Sequence, residues 1–137
     1  MKLKEYNKKS FVETTGRNQY PTVHISRRSG HFNLSKRAVK LLFPNTDFVP
    51  DPADGIVVLQ DEIIPRDFYI AVSNSEQAFA LRPKTTGMVF QSKGMATTVL
   101  DILKVGKSAS FRIGVEKVEW NGLDLYSIIT SNPINPK

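Results

Sequence analysis

The chain reads as an α+β protein, mostly β, built from two tandem ββαββ repeats that a pseudo-twofold axis relates within one barrel-like or intertwined domain. Three observations lead there. Gly30, Ser35 and Lys36 return 57 residues later as Gly87, Ser92 and Lys93. A basic residue stands three positions before each glycine, Arg27 in the first copy and Lys84 in the second. Each serine opens a helix-like run ending in a Leu/Val/Ile cluster, and the flanking segments alternate apolar and polar residues as strands do. The same shift superposes Ile56 on Ile113, Glu62 on Glu119, Asp67 on Asp124 and Tyr69 on Tyr126 without a gap. Two copies are too few for a solenoid, which leaves a pseudo-symmetric pair sharing one core.

The elements follow in order. Residues 1–20 carry Lys2, Lys4, Lys8, Lys9 and Arg17 against Glu5 and Glu13, and read as a basic N-terminal arm. The first repeat, 21–77, starts with a strand from Pro21 in which Val23 and Ile25 alternate with His24 and Ser26. Arg28-Ser29-Gly30 is a turn, Phe32 and Leu34 alternate on the returning strand, and Ser35 is placed to cap a helix from Lys36. Its apolar stripe is Ala38, Val39, Leu41 and Leu42. Phe43-Pro44-Asn45 stops it, and a loop with Asp47, Asp51 and Asp54 leads to strands over Ile56–Leu59 and Asp67–Val72. The second repeat, 78–131, gives strands over Ala78–Leu81 and Met88–Phe90, then a helix capped by Ser92 and running from Lys93 to about Leu103. Gly94, Thr97 and Thr98 weaken that helix, so tertiary packing must hold it. Phe111, Ile113 and Val115 alternate, and Asn121-Gly122 is a type I′ hairpin loop. Residues 132–137 read as a C-terminal tail.

That hairpin loop fixes a register. Trp120 faces Leu123 and Val118 faces Leu125 on one side of the ribbon, with Ile113, Val115, Tyr126 and Ile128 on the other. Trp120 either closes one end of the core or projects with Val118, Leu123 and Leu125 as an anchor for a partner chain.

Composition sets the bounds. At 137 residues and 40% hydrophobic content the chain is sized for one domain with its own core. A formal charge of +6 favours an anionic partner. There is no cysteine, so disulfides, thiolate catalysis and cysteine-based zinc sites drop out. No apolar run approaches the roughly 18 residues of a membrane span, and the N-terminus lacks the apolar stretch of a secretory signal. A cytoplasmic protein without membrane association is expected.

Catalytic signals are thin. His24 and His31 flank a turn without a nearby carboxylate, no serine sits in a nucleophile elbow, and no glycine-rich phosphate loop precedes a helix. The reading is a protein that is not an enzyme and uses no cofactor or metal.

The placement of charge says more than its total. From Arg27 to Lys40 there are five basic residues and no acid, whereas from Asp47 to Glu76 acids dominate. Arg27, Arg28, Lys36, Arg37 and Lys40, with Lys84 and Lys93 in the second copy, are the candidate phosphate contacts for DNA or RNA. The expected positive side is made from both glycine turns and both helix starts.

The order of strand, glycine turn, strand, capped helix and two strands resembles the swapped-hairpin fold of AbrB-type DNA-binding domains. The residues that carry it are Val23, Ile25, Gly30, Phe32, Leu34, Ser35, Arg37 and Leu41, with Ser35 where that family has proline. A tandem pair in one chain is similar to the MraZ family. The resemblance implies DNA binding through Arg27, Arg28, Lys36, Arg37, Lys84 and Lys93. The expected function is a regulatory or architectural nucleic-acid-binding module. The alternative is an assembly subunit that binds a protein partner, or a second copy of itself, through the Trp120 hairpin.

Overall fold

A computed structural model describes residues 3, 20–44 and 54–137. The arm expected over 1–20 lies outside the described residues apart from Leu3 and Tyr20, and so do Asp47 and Asp51 of the acidic loop.

The described chain is mostly β. Strand β1 (Thr22–Ser26) and β2 (His31–Ser35) form the first hairpin, followed by helix α1 (Lys36–Leu42). Strands β3 (Gly55–Gln60) and β4 (Phe68–Ser73) form the second hairpin, and β5 (Phe79–Ala80), β6 (Arg82–Lys84) and β7 (Gly87–Gln91) lead to helix α2 (Lys93–Ile102). Two long strands, β8 (Ser108–Trp120) and β9 (Leu123–Ile134), finish the chain. All lie in one antiparallel sheet ordered β5-β3-β4-β9-β8-β1-β2-β7-β6.

The alternation read from the sequence sets which side faces inward. Val23, Ile25, Phe32, Ile56, Phe68, Ile70, Phe90 and Phe111 are fully buried in one core, against which both helices pack Ala38, Val39, Ala96, Val99 and Leu100. Phe90 stacks on Phe32 at 4.6 Å between ring centroids and on Phe79 at 5.4 Å. Since Phe79 belongs to one edge strand and Phe90 lies next to the other, this three-ring stack draws the sheet into a nearly closed, barrel-like form.

Several elements depart from the sequence reading. The strand expected over 78–81 is split: Phe79 and Ala80 ladder onto β3, while Arg82–Lys84 ladder onto β7, so the chain changes neighbour at Leu81. Val115 is 65% exposed although it continues the alternation of Phe111 and Ile113, because the β8–β9 register shifts between Ile113 and Lys117. The expected tail is not free. Strand β9 runs to Ile134, and the Lys137 amide donates to the Ser108 carbonyl at 2.8 Å while its carbonyl accepts from Ser108 and Lys107.

Candidate nucleic-acid interface

The two helix starts are built alike. Ser35 Oγ accepts from the Ala38 amide at 3.2 Å and from the Thr22 amide at 3.0 Å, so one hydroxyl caps α1 and anchors β1. Ser92 Oγ accepts from the Met95 amide at 3.1 Å and caps α2.

Each glycine turn packs on the helix start from the other half of the chain. Gly30 has φ +72°, and a Cβ there would lie 2.5 Å from the Lys93 amide nitrogen. The Ser92 amide donates to the Gly30 carbonyl at 2.9 Å, and Gln91 Nε2 donates to the Ser29 carbonyl at 2.8 Å. Gly87 has φ +151°, and a Cβ there would overlap the Leu34 carbonyl oxygen. Glycine is required at both places by the backbone angle and by the close approach.

This crossing sorts the candidate residues into two groups. Arg28 shares one end of the β2–β7 ladder with Lys93. Lys84 shares the other with Lys36, where both line a pocket of about 260 Å³ with Val39, Pro83, Gly87 and Met88. The register from His31↔Gln91 to Ser35↔Gly87 separates the ends by four residues, about 13 Å at the usual strand rise. The positive side is therefore two clusters joined by a ladder, with Arg37 and Lys40 exposed on α1 beside the second.

Arg27 is placed differently from the others. Its Nη1 pairs with Asp101 Oδ1 at 2.6 Å, Nη2 donates to the Val105 carbonyl at 2.9 Å, and Nε donates to the Gly106 carbonyl at 2.7 Å. These bonds tie the β1–β2 turn to the loop after α2, so Arg27 positions the turn that carries Arg28. Lys84 Nζ donates to Asn33 Oδ1 at 2.8 Å and stays exposed.

Charge follows the topology. On β1, β2, β6, β7, the two helices, their adjoining turns and the start of β8 with the chain end bonded to it, Arg27, Arg28, Lys36, Arg37, Lys40, Arg82, Lys84, Lys93, Lys104, Lys107, Arg112 and Lys137 stand against the side chain of Asp101 alone among the described residues. That acid is the one bound to Arg27. The other half of the sheet, with its loops and the hairpin tip, holds Asp54, Asp61, Glu62, Asp67, Glu76, Glu116, Glu119 and Asp124 against Arg66 and Lys117. Sequence reasoning misses Arg82, Lys104 and Lys107 because they fall outside the repeated motif.

The hairpin tip has the register expected: Trp120↔Leu123 and Val118↔Leu125, with Asn121 and Gly122 both at positive φ. Trp120 does not close the core. It is 50% exposed and lines an outer groove of about 550 Å³ with Val118, Leu125, Leu59, Tyr69, Ile63, Gln60, Asp61 and Glu62. Leu125 is buried there, while Leu123 lies outside the groove lining. The sequence reading does not place Leu59, Ile63 or Tyr69 beside Trp120. The signal that could find them is the Ile63-Ile64 pair in an otherwise polar hairpin loop.

His24 Nδ1 shares a 2.7 Å hydrogen bond with Ser110 Oγ. Burial, and then the positive charge of Lys137, hold its pKa below the usual 6.5. Among the described residues no three His, Asp or Glu side chains come together as a metal site, and no helix is long and apolar enough to cross a membrane. Comparison with family models, with curated proteins and with solved structures finds no match.

Proposed function

We propose that the protein is a non-enzymatic nucleic-acid-binding module, regulatory or architectural, that docks through the half of the sheet formed by β1, β2, β7 and β6 with the two helices. The observation that carries this reading is the segregation of charge: basic residues gather on one contiguous half of the sheet, where the one acid among that half's described residues, Asp101, is paired with the partly buried Arg27. A solvated surface has no reason to exclude acids over so many turns, whereas a phosphate-binding face does. Arg28 and Lys93 at one end, with Lys36, Arg37, Lys40 and Lys84 at the other, are the proposed phosphate contacts.

The same reading includes descent of the two halves from one ββαββ unit. In its support, Ile25 pairs with Phe32 in the first hairpin, and Arg82 with Val89, each 57 residues on, in the β6–β7 hairpin. Likewise β2 pairs with β7 and β4 with β9, equivalent strands meeting across the proposed twofold axis. The β3–β4 and β8–β9 hairpins correspond less strictly, with Ile56↔Val72 answered by Ile113↔Ile128, one residue out. An interleaved arrangement of this kind is what the AbrB-like resemblance implies, and DNA binding is proposed on that analogy as well as on charge.

Binding to labelled duplex DNA, single-stranded DNA and RNA at two salt concentrations tests the function. A phosphate-driven complex weakens steeply as salt rises, and Arg28→Ala with Lys93→Ala should reduce both its affinity and its salt slope. Binding that ignores salt and these substitutions would refute it. The second reading, an assembly subunit, is favoured by the half-exposed Trp120, and predicts that Trp120→Ala abolishes capture of a protein partner.

A further inference from the structure

In the pocket where Lys36 and Lys84 meet, apolar surface opens between two cations. Val39 of α1 and Met88 of β7 are buried and form the floor, Pro83 of β6 is exposed at the rim, and Gly87, glycine by necessity, leaves its backbone bare. The two lysines come from different elements. Lys36 opens α1, while Lys84 sits opposite Gly87 in the β6–β7 ladder with its Nζ donating to Asn33 Oδ1 at 2.8 Å. Both residues are exposed.

This chemistry narrows the occupant. The volume of about 260 Å³ lies below the roughly 300–1,000 Å³ usual for drug-sized ligands, so a single ring system fits. An added peptide strand does not suit the site, because β6 is three residues long and carries Pro83, which has no N–H to offer a ladder. The lysines call for negative charge beside the ring. A nucleobase flanked by its phosphates meets all three conditions. Within a duplex every base is paired and stacked, so the base that enters belongs to an unpaired strand.

The other end of the β2–β7 ladder is built differently. Arg27 there is held by Asp101, Val105 and Gly106, whereas Lys84, 57 residues on, makes a single side-chain hydrogen bond among the described residues. One turn is locked by its own chain and the other is left open to a ligand.

We infer that this pocket takes one unstacked nucleobase of a single-stranded nucleic acid, with the phosphates on either side of it held by Lys36 and Lys84. The inference rests on the nucleic-acid reading above and adds that the strand is single. The base lies against Met88 and Pro83, and Arg37 and Lys40 continue the basic track along α1.

The test compares an oligonucleotide of about ten nucleotides with the same backbone stripped of its bases, as DNA and as RNA, on the full-length protein. The phosphate count is equal, so the salt slopes should agree, while the intact strand should bind about tenfold more tightly. A duplex of the same length should bind less tightly than the intact strand. Pro83→Ala, on an exposed edge, should weaken the intact strand several-fold and leave the base-free one unchanged. Lys36→Ala with Lys84→Ala should weaken both and lower the slope. In protein labelled at its methionine methyls, the Met88 NMR signal should move by ring current with the intact strand only. Equal affinity for the two strands, or tighter binding to the duplex, would overturn the assignment and leave the nucleic-acid reading standing. So would equal losses for both strands in Pro83→Ala. A free nucleoside monophosphate that moves Met88 at the concentration where the strand saturates would also overturn it, since the pocket would then be a mononucleotide site. Failure of every nucleic acid to bind would remove the nucleic-acid reading and this inference together.

Discussion

Arg27 and Asp101 form a 2.6 Å ion pair across 74 positions of sequence, fastening the β1–β2 turn to the last turn of α2. Exposed pairs of this sort contribute under about 1 kcal/mol. Here the same guanidinium also donates to two backbone carbonyls. Arg27→Ala should therefore destabilise the protein by about 1–2 kcal/mol, and Asp101→Asn by less. Urea denaturation measures both. In the binding assay Arg28→Ala should reduce affinity at unchanged stability, which separates the proposed contact from its support.

The glycine turns make a sharper demand. At Gly87 an added Cβ would overlap the Leu34 carbonyl oxygen, and at Gly30 it would collide with the Lys93 backbone. Gly87→Ala and Gly30→Ala should each cost on the order of 3 kcal/mol or more. Gly94, in the first turn of α2, has nothing within 4 Å of the position a methyl group would take. Gly94→Ala should stabilise by about 0.5 kcal/mol. Thermal melts of the three variants check the order.

Removal of the two capping hydroxyls should not be equivalent. Ser92 satisfies one amide, whereas Ser35 satisfies that of Ala38 in the helix and that of Thr22 in the neighbouring strand. Ser92→Ala should cost about 1 kcal/mol and Ser35→Ala closer to about 2 kcal/mol. Chemical denaturation resolves a difference of that size.

Acid should weaken the fold through His24. Its folded pKa is lowered by burial and by Lys137, so the unfolded chain takes up the proton more readily. Stability from this group is intact above about 6.5, falls as the pH drops from there through the folded pKa, and levels off below it. His24→Gln should flatten that part of the stability profile, as followed by urea midpoints from about pH 8 to pH 5.

Trp120 and Phe32 should behave as opposites. Phe32 is fully buried beneath Phe90, so Phe32→Ala should cost about 3–5 kcal/mol. Trp120 is half exposed, and Trp120→Ala should cost under about 1.5 kcal/mol while removing the fluorescence signal of the groove.

Local signals carry much of the fold. Val23 and Ile25, Phe32 and Leu34 reveal their buried face by period two; Ser35 and Ser92 reveal their caps; Asn121-Gly122 fixes a hairpin register that the structure keeps. What escapes is set by distant neighbours. Nothing near Leu81 tells that the chain leaves β3 for β7 there, and nothing near Arg27 points to Asp101. Trp120 has the composition of a core residue, and only the length of the β8–β9 ribbon carries it beyond the buried interior. The basic clusters are legible as charge runs, but which turn meets which helix start depends on the crossing of Gly30 to Lys93 and Gly87 to Leu34.

The order of strands binds the two ends of the chain into a common fate. Strand β1 lies between β2, a few residues away, and β8, some eighty-six away at the His24–Ser110 bond. A chain severed at the exposed stretch Asn74–Gln77 would yield two pieces, each with ladders that only the other completes. Such pieces should be insoluble apart and recover the fold when mixed, which makes that stretch a natural place to divide the protein into a fragment-complementation pair.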